Sequence, residues 1–250
     1  MHLTWEFTPK DLETVRQVVL EHDVHPIVID RRERNLANSK ASVSRDRFWR
    51  ALMLALLTTQ QPSGPNSAVS RLLATNPFLL SYERCNAAAH PATFVTEVLV
   101  SFRGIRRHRL IGEAAGKNLQ LLEAGEWSVV QATLAPLSEL QSIATERAIA
   151  DYLNERFAGL GPKQARNLLQ VLGLTRYEIP IDSRIAKWLR RSGFPVPVSA
   201  GALSDREYYC FVLDGVQRLC EASDLFPCVV DGAVFASFDG EGWNNELVRF

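Results

Sequence analysis

Apolar residues recur along this chain at intervals of three and four rather than in alternation, so nearly every patterned segment predicts a helix. "TPKDLETVRQVVLEH" opens with Thr8 as an N-cap and Pro9 in the first helical turn, where a missing N–H costs nothing. "HPIVID" follows and reads as a short strand or an extended connection. Between Ala51 and Leu57 the chain is apolar on every side, too short to cross a bilayer and too uniform for a surface helix. That run predicts a central buried helix ending near Gln60, Gln61 and Pro62. Further helices are predicted at about 66–75, 91–102, 106–124, 138–144, 146–157, 162–172, 183–191 and 204–221, joined by short connections rich in Gly, Pro, Ser and Asn. With no internal repeat, the expectation is an all-α protein.

Composition narrows this picture little. The 250 residues are 46% apolar, enough for one large domain or two small ones. Lys plus Arg and Asp plus Glu both number 28, but the charge is unevenly distributed. Between Arg156 and Arg191 eight basic residues face two acids, and from Asp205 onward nine acids face three bases. A basic middle suits phosphate, and an uneven scatter of solvated charge fits the same counts. The cysteines, Cys85, Cys210, Cys220 and Cys228, have neither C-x-x-C nor zinc spacing, so neither a metal site nor a disulfide framework is expected. No secretory pattern opens the chain and no apolar run reaches the roughly 18 residues of a membrane span, so a soluble, cytoplasmic protein is expected, nucleoid-associated in a prokaryote.

The stretch "FAGLGPKQARNLLQ" carries candidate chemistry. "ERAIADYLNERF" before it predicts one helix and "PKQARNLLQVLG" a second, whose Ala165, Leu168, Leu169 and Leu172 share an apolar face. Gly159 and Gly161 permit a tight hairpin, Leu160 plugs it into the core, and Pro162 starts the second helix. Free N–H groups at such a hairpin and helix start make an anion site suited to a nucleic-acid phosphate, although a Gly-x-Gly before a helix is also ordinary turn chemistry. Only five lysines occur, and Lys163 stands at this helix start, where the helix dipole and partial burial both disfavour its protonated form. Downstream, "IPID" places Asp182 as N-cap of the helix beginning at Ser183.

These residues, "FAGLGPKQA" followed 19 positions after Lys163 by the aspartate of "IPID", resemble the helix-hairpin-helix DNA glycosylase superfamily of endonuclease III and the 8-oxoguanine DNA glycosylases. "ALMLALLTTQ" is similar to the family's buried helix ending in a glutamine, and "FRGIRRHRLIGEAA" to its basic helix start, so the likeness runs from about residue 48 to 191. The resemblance implies two helical lobes, 45–173 and 1–44 with 174–250, with a DNA cleft between them and the hairpin motif at their junction. It implies that Lys163 is the nucleophile of a bifunctional glycosylase and abasic-site lyase, that Asp182 stabilises developing positive charge, and that Gln60 fills the space of an extruded nucleotide. Gly159, Leu160, Gly161 and Arg166 are expected on the DNA side, while Arg103, Arg106, Arg107 and Arg109 are divided between phosphate and solvent.

The cysteine spacing departs from that of the iron-sulfur branch, so no cluster and no other cofactor are expected. The cluster-free lysine branches resemble 8-oxoguanine enzymes, making an oxidised purine the leading substrate. The expected partner is double-stranded DNA carrying a damaged base, bound by a monomer. A non-catalytic hairpin module and a monofunctional glycosylase for another base are the alternatives.

Overall fold

Thr8 and Asp11 open the first helix by exchanging hydrogen bonds: the Thr8 hydroxyl accepts the Asp11 N–H at 3.3 Å and the Asp11 carboxylate accepts the Thr8 N–H at 2.8 Å. That helix, α1 (Pro9–Glu21), begins a chain whose structure, a computed structural model, describes residues 4–37, 42–64, 66–139 and 141–239. Helices α2 (Pro26–Asp30), α3 (Arg45–Leu57), α4 (Ala68–Leu73), α5 (Tyr82–Ala87), α6 (Pro91–Ser101) and α7 (His108–Leu121) follow. The rest are α8 (Trp127–Leu134), α9 (Ile143–Arg156), α10 (Pro162–Val171), α11 (Ser183–Arg191), α12 (Arg206–Ala222) and α13 (Pro227–Asp239). Among the described residues there is no strand, and no helix is long and apolar enough to cross a membrane.

Several expectations are corrected. "HPIVID" is helical: the His25 ring accepts the Ile27 N–H, Pro26 takes the first turn, and α2 runs on into a π-helical turn at Arg31–Asn35. Its β-branched residues are overruled by packing, since Ile27 and Val28 are buried where α2 meets α13. In place of the helix predicted at 138–144, a 3₁₀ turn, Ala135–Ser138, ends at its first position and α9 begins at Ile143, where the Ser142 hydroxyl caps it. Helices α5, α8 and α13 were not expected.

The buried apolar side chains form two clusters. One gathers residues from Phe48 to Leu174 around α3, which is closed to water on every face from Ala51 to Leu57. The other combines Val15–Val28 with Ile179–Val234, α13 packing on α1, α2, α11 and α12. The N-terminal segment is also pinned to the loop after α10. Asn35 donates to the Thr175 carbonyl at 2.8 Å, Arg34 to the Val171 carbonyl at 3.0 Å, and Arg176 to the Leu36 carbonyl at 3.1 Å.

Candidate active site

The hairpin between α9 and α10 is shaped by close approach. Gly159 has φ +81° and a Cβ there would lie 2.6 Å from Leu56 Cδ2, so any other residue is strained and forces Leu56 to move. Leu160 is buried beneath the turn. Gly161, in contrast, is extended, and a Cβ would meet only the Gln164 side chain at 3.4 Å. Asn118 of α7, itself buried, clasps the hairpin: its side-chain oxygen accepts the Ala158 N–H at 2.8 Å and its NH₂ donates to the Ala158 carbonyl at 2.9 Å. No side chain caps α10, so the first-turn N–H groups beside Lys163 have no capping acceptor.

Helical spacing then builds the site. Ala165, Leu168, Leu169 and Leu172 face the core, which turns Lys163, Asn167 and Gln170, at i, i+4 and i+7, toward a cavity of about 120 Å³. Asp182, Arg184, Asp231 and Phe235 line the same cavity, with Arg31 and Arg34 alongside. Asp182 caps α11, its Oδ1 accepting the N–H groups of Arg184 at 2.8 Å and Ile185 at 3.0 Å, while its Oδ2 lies 3.1 Å from the Arg184 guanidinium. The loop that delivers it is fixed from below. Buried Glu146 accepts the N–H groups of Arg176, Tyr177 and Glu178 at 2.8–2.9 Å, and the Tyr209 hydroxyl bridges Ile181 and Ile179.

Burial holds the Lys163 ammonium below the ordinary lysine pKa; Asp182 and Asp231 oppose the shift and Arg184 adds to it. Desolvation outweighs the two carboxylates. Asp231 is pushed up to about 6, by burial first and by the nearby Asp182 charge as well, while Arg31, its hydrogen bond from Gln170, and Lys163 pull it down. Two atoms of the cavity lining, Gln170 Oε1 and Arg31 Nε, are buried without a hydrogen-bond partner.

Gln60 stands exposed just past α3 with φ +55° and accepts from the Arg107 guanidinium at 2.6 Å, while Gln61 accepts the Arg106 N–H at 2.8 Å. Gln60, Arg103 and Arg107 are three of the four non-glycine residues with left-handed backbone among those described. Strain is thus concentrated on these two facing loops. Arg166 corrects the sequence reading. Expected on the DNA side, it is closed to solvent, donating to Glu178 at 2.7 Å and stacked 4.7 Å from the Tyr209 ring, so it cannot face a phosphate.

Sequence reasoning missed Asn118, Gln170, Arg31, Asp231 and Phe235. Asp231 had a legible signal, a lone acid inside the apolar run "PCVVDGAVFASF". Among the described residues no group of His, Cys, Asp and Glu could hold a metal ion, and none of the four cysteines forms a disulfide. A larger cavity, about 350 Å³, lies at the far end of α11 between Trp5, Phe7, Trp188 and Phe194; neither Lys163 nor Asp182 lines it.

No protein-family model matches the sequence, and no curated protein matches it significantly. Solved structures do share the fold. The 8-oxoguanine DNA glycosylase Tm1821 of Thermotoga maritima superposes with a TM-score of 0.65 at 16% identity, over 92% of this chain and 96% of that one. The Methanocaldococcus jannaschii 8-oxoguanine DNA glycosylase gives the same score and identity over 92% and 95%.

Proposed function

We propose that this chain is a DNA glycosylase that removes a damaged base, best matched to 8-oxoguanine, and opens the strand at the resulting abasic site. The observation that carries the reading is Lys163, its pKa lowered by burial, set with Asp182 in the lining of one cavity at a helix start with no side-chain cap. The shared fold with 8-oxoguanine glycosylases supports it.

In this reading the hairpin N–H groups hold a strand phosphate and the target nucleotide turns out of the duplex into the cavity, Gln60 taking its place. Neutral Lys163 attacks C1′ as the glycosidic bond breaks, the base leaving with the electron pair and with the proton lost by the attacking amine. Asp182 offsets the positive charge that builds on the sugar. The aminal opens its sugar ring to an imine, loss of a C2′ proton expels the 3′ phosphate, and water then frees Lys163. The unpartnered Gln170 Oε1 and the Asp231 carboxylate are acceptors suited to adjacent donors such as those on a guanine edge, and Phe235 offers an aromatic face.

Borohydride added to the protein with an 8-oxoguanine or abasic duplex should trap a covalent complex. Equal trapping by Lys163→Gln would sink the assignment. Base release without trapping would make the enzyme monofunctional, and duplex binding with neither would leave only a binding module.

A further inference from the structure

A row of cations continues out of the cavity along α11. Arg184, at the cavity wall, lies 4.2 Å from the ring of Phe235, which also lines the cavity. One turn further, Lys187 sits 5.1 Å from the Phe238 ring, and Arg191 lies 5.3 Å from the same ring. Residues 184, 187 and 191 are spaced i, i+3 and i+7 and so share a face, and Phe235 and Phe238 sit one turn apart on α13 beneath it. Helix α11 contains no acid, and neither Lys187 nor Arg191 has an ion pair among the described residues. Both are exposed. The rings lie against the cationic groups themselves, and Phe238 holds Lys187 and Arg191 beside one another without neutralising them.

Resting on the reading of the cavity as a site for an extruded nucleotide, we propose that Lys187 and Arg191 form a second phosphate track, which grips the backbone of the duplex arm leading away from the lesion on the α11 side. The seven steps from Arg184 to Arg191 span about 10 Å at 1.5 Å per residue, which matches about three nucleotides of one strand at ~3.4 Å each. The occupant is a DNA backbone because the face offers charge at regular intervals and no donor–acceptor pattern for reading bases. The hairpin and the track would then hold the strand at separate places, with the extruded nucleotide between them.

The test is the salt dependence of binding to a duplex bearing a tetrahydrofuran abasic analogue, for wild type and a Lys187→Gln/Arg191→Gln double variant. Losing two phosphate contacts should make the slope of log K against log[KCl] shallower by about 1.8, at ~0.9 per phosphate. Trimming the duplex arm on one side should weaken wild type and leave the variant unaffected, while single-turnover borohydride trapping at saturating DNA stays unchanged. An unchanged slope with an unchanged response to trimming overturns the track. The slope reads on any duplex, so a wild type that shows the slope difference but releases no base overturns the glycosylase reading and supports the track.

Discussion

Arg166 and Glu178 form an ion pair at 2.7 Å with both side chains closed to solvent, and it joins the helix bearing Lys163 to the loop bearing Asp182. Arg166 lies three residues after the lysine and Glu178 four before the aspartate. Removing Glu178 leaves the buried Arg166 with only Asp151 as acidic partner, at 3.6 Å, and removing Arg166 leaves the buried Glu178 to the partly exposed Arg147 at 2.9 Å, so either single change unbalances a buried charge. Arg166→Met or Glu178→Leu alone should therefore lower stability by about 3–5 kcal/mol, whereas the double replacement should come within about 1 kcal/mol of wild type or exceed it. Chemical denaturation of the three variants measures this, and a double variant as unstable as the worse single one would contradict it.

Asp182→Asn separates two effects of one carboxylate. Asparagine can still cap α11, so the fold should persist. Loss of the negative charge removes an attraction that favours the protonated Lys163, so the rising limb of imine trapping against pH should move to lower pH. Base excision at saturating substrate should meanwhile fall by about 10²–10³, the usual size of a lost electrostatic contribution. A limb that stays in place while excision falls would separate Asp182 from the lysine.

Asp231 makes stability depend on pH. Its folded pKa is raised to about 6, so the native state binds a proton more tightly than the unfolded chain does. The stability this confers is fully present below the unfolded value of about 3.9 and is lost as pH rises through 6. Asp231→Asn should match wild type near pH 3.5 and exceed it by about 2–3 kcal/mol at pH 7.5. Urea unfolding at the two pH values tests the sign, and a variant less stable at pH 7.5 would refute it.

The hairpin glycines should respond differently. Gly159→Ala places a methyl group 2.6 Å from Leu56 at positive φ and should cost about 1–3 kcal/mol in thermal unfolding. Gly161→Ala meets no such obstacle and should leave stability within about 0.5 kcal/mol of wild type, while weakening duplex binding if a phosphate docks against that backbone. Equal losses of stability would mean that the hairpin does not pack as described.

What the sequence disclosed followed the range of each interaction. The capping of α1, the buried run of α3 and the pairing of α9 with α10 depend on residues a few positions apart, and each was legible. The α2 helix was not, because its β-branched residues are made helical by a partner some two hundred residues away. Arg166 misled because a basic residue one turn from Lys163 looks the same whether it faces DNA or a buried glutamate; Glu178 decides it. Asp231 and Phe235 belong to a helix whose uniform apolarity hides which side faces a cavity.

The N-terminal helices are held by Thr175, Val171, Arg176 and α13, so they have no docking surface until almost the whole chain has been synthesised. At ribosomal rates of about 5–20 residues per second, they wait roughly ten seconds or more for α13 to emerge. The cluster around α3 needs nothing from them and can settle first. Arg31, Arg34, Asp231 and Phe235 reach the cavity only in the closing step, so Lys163 meets its full surroundings last. A truncated or half-made chain is thus left without the completed cavity.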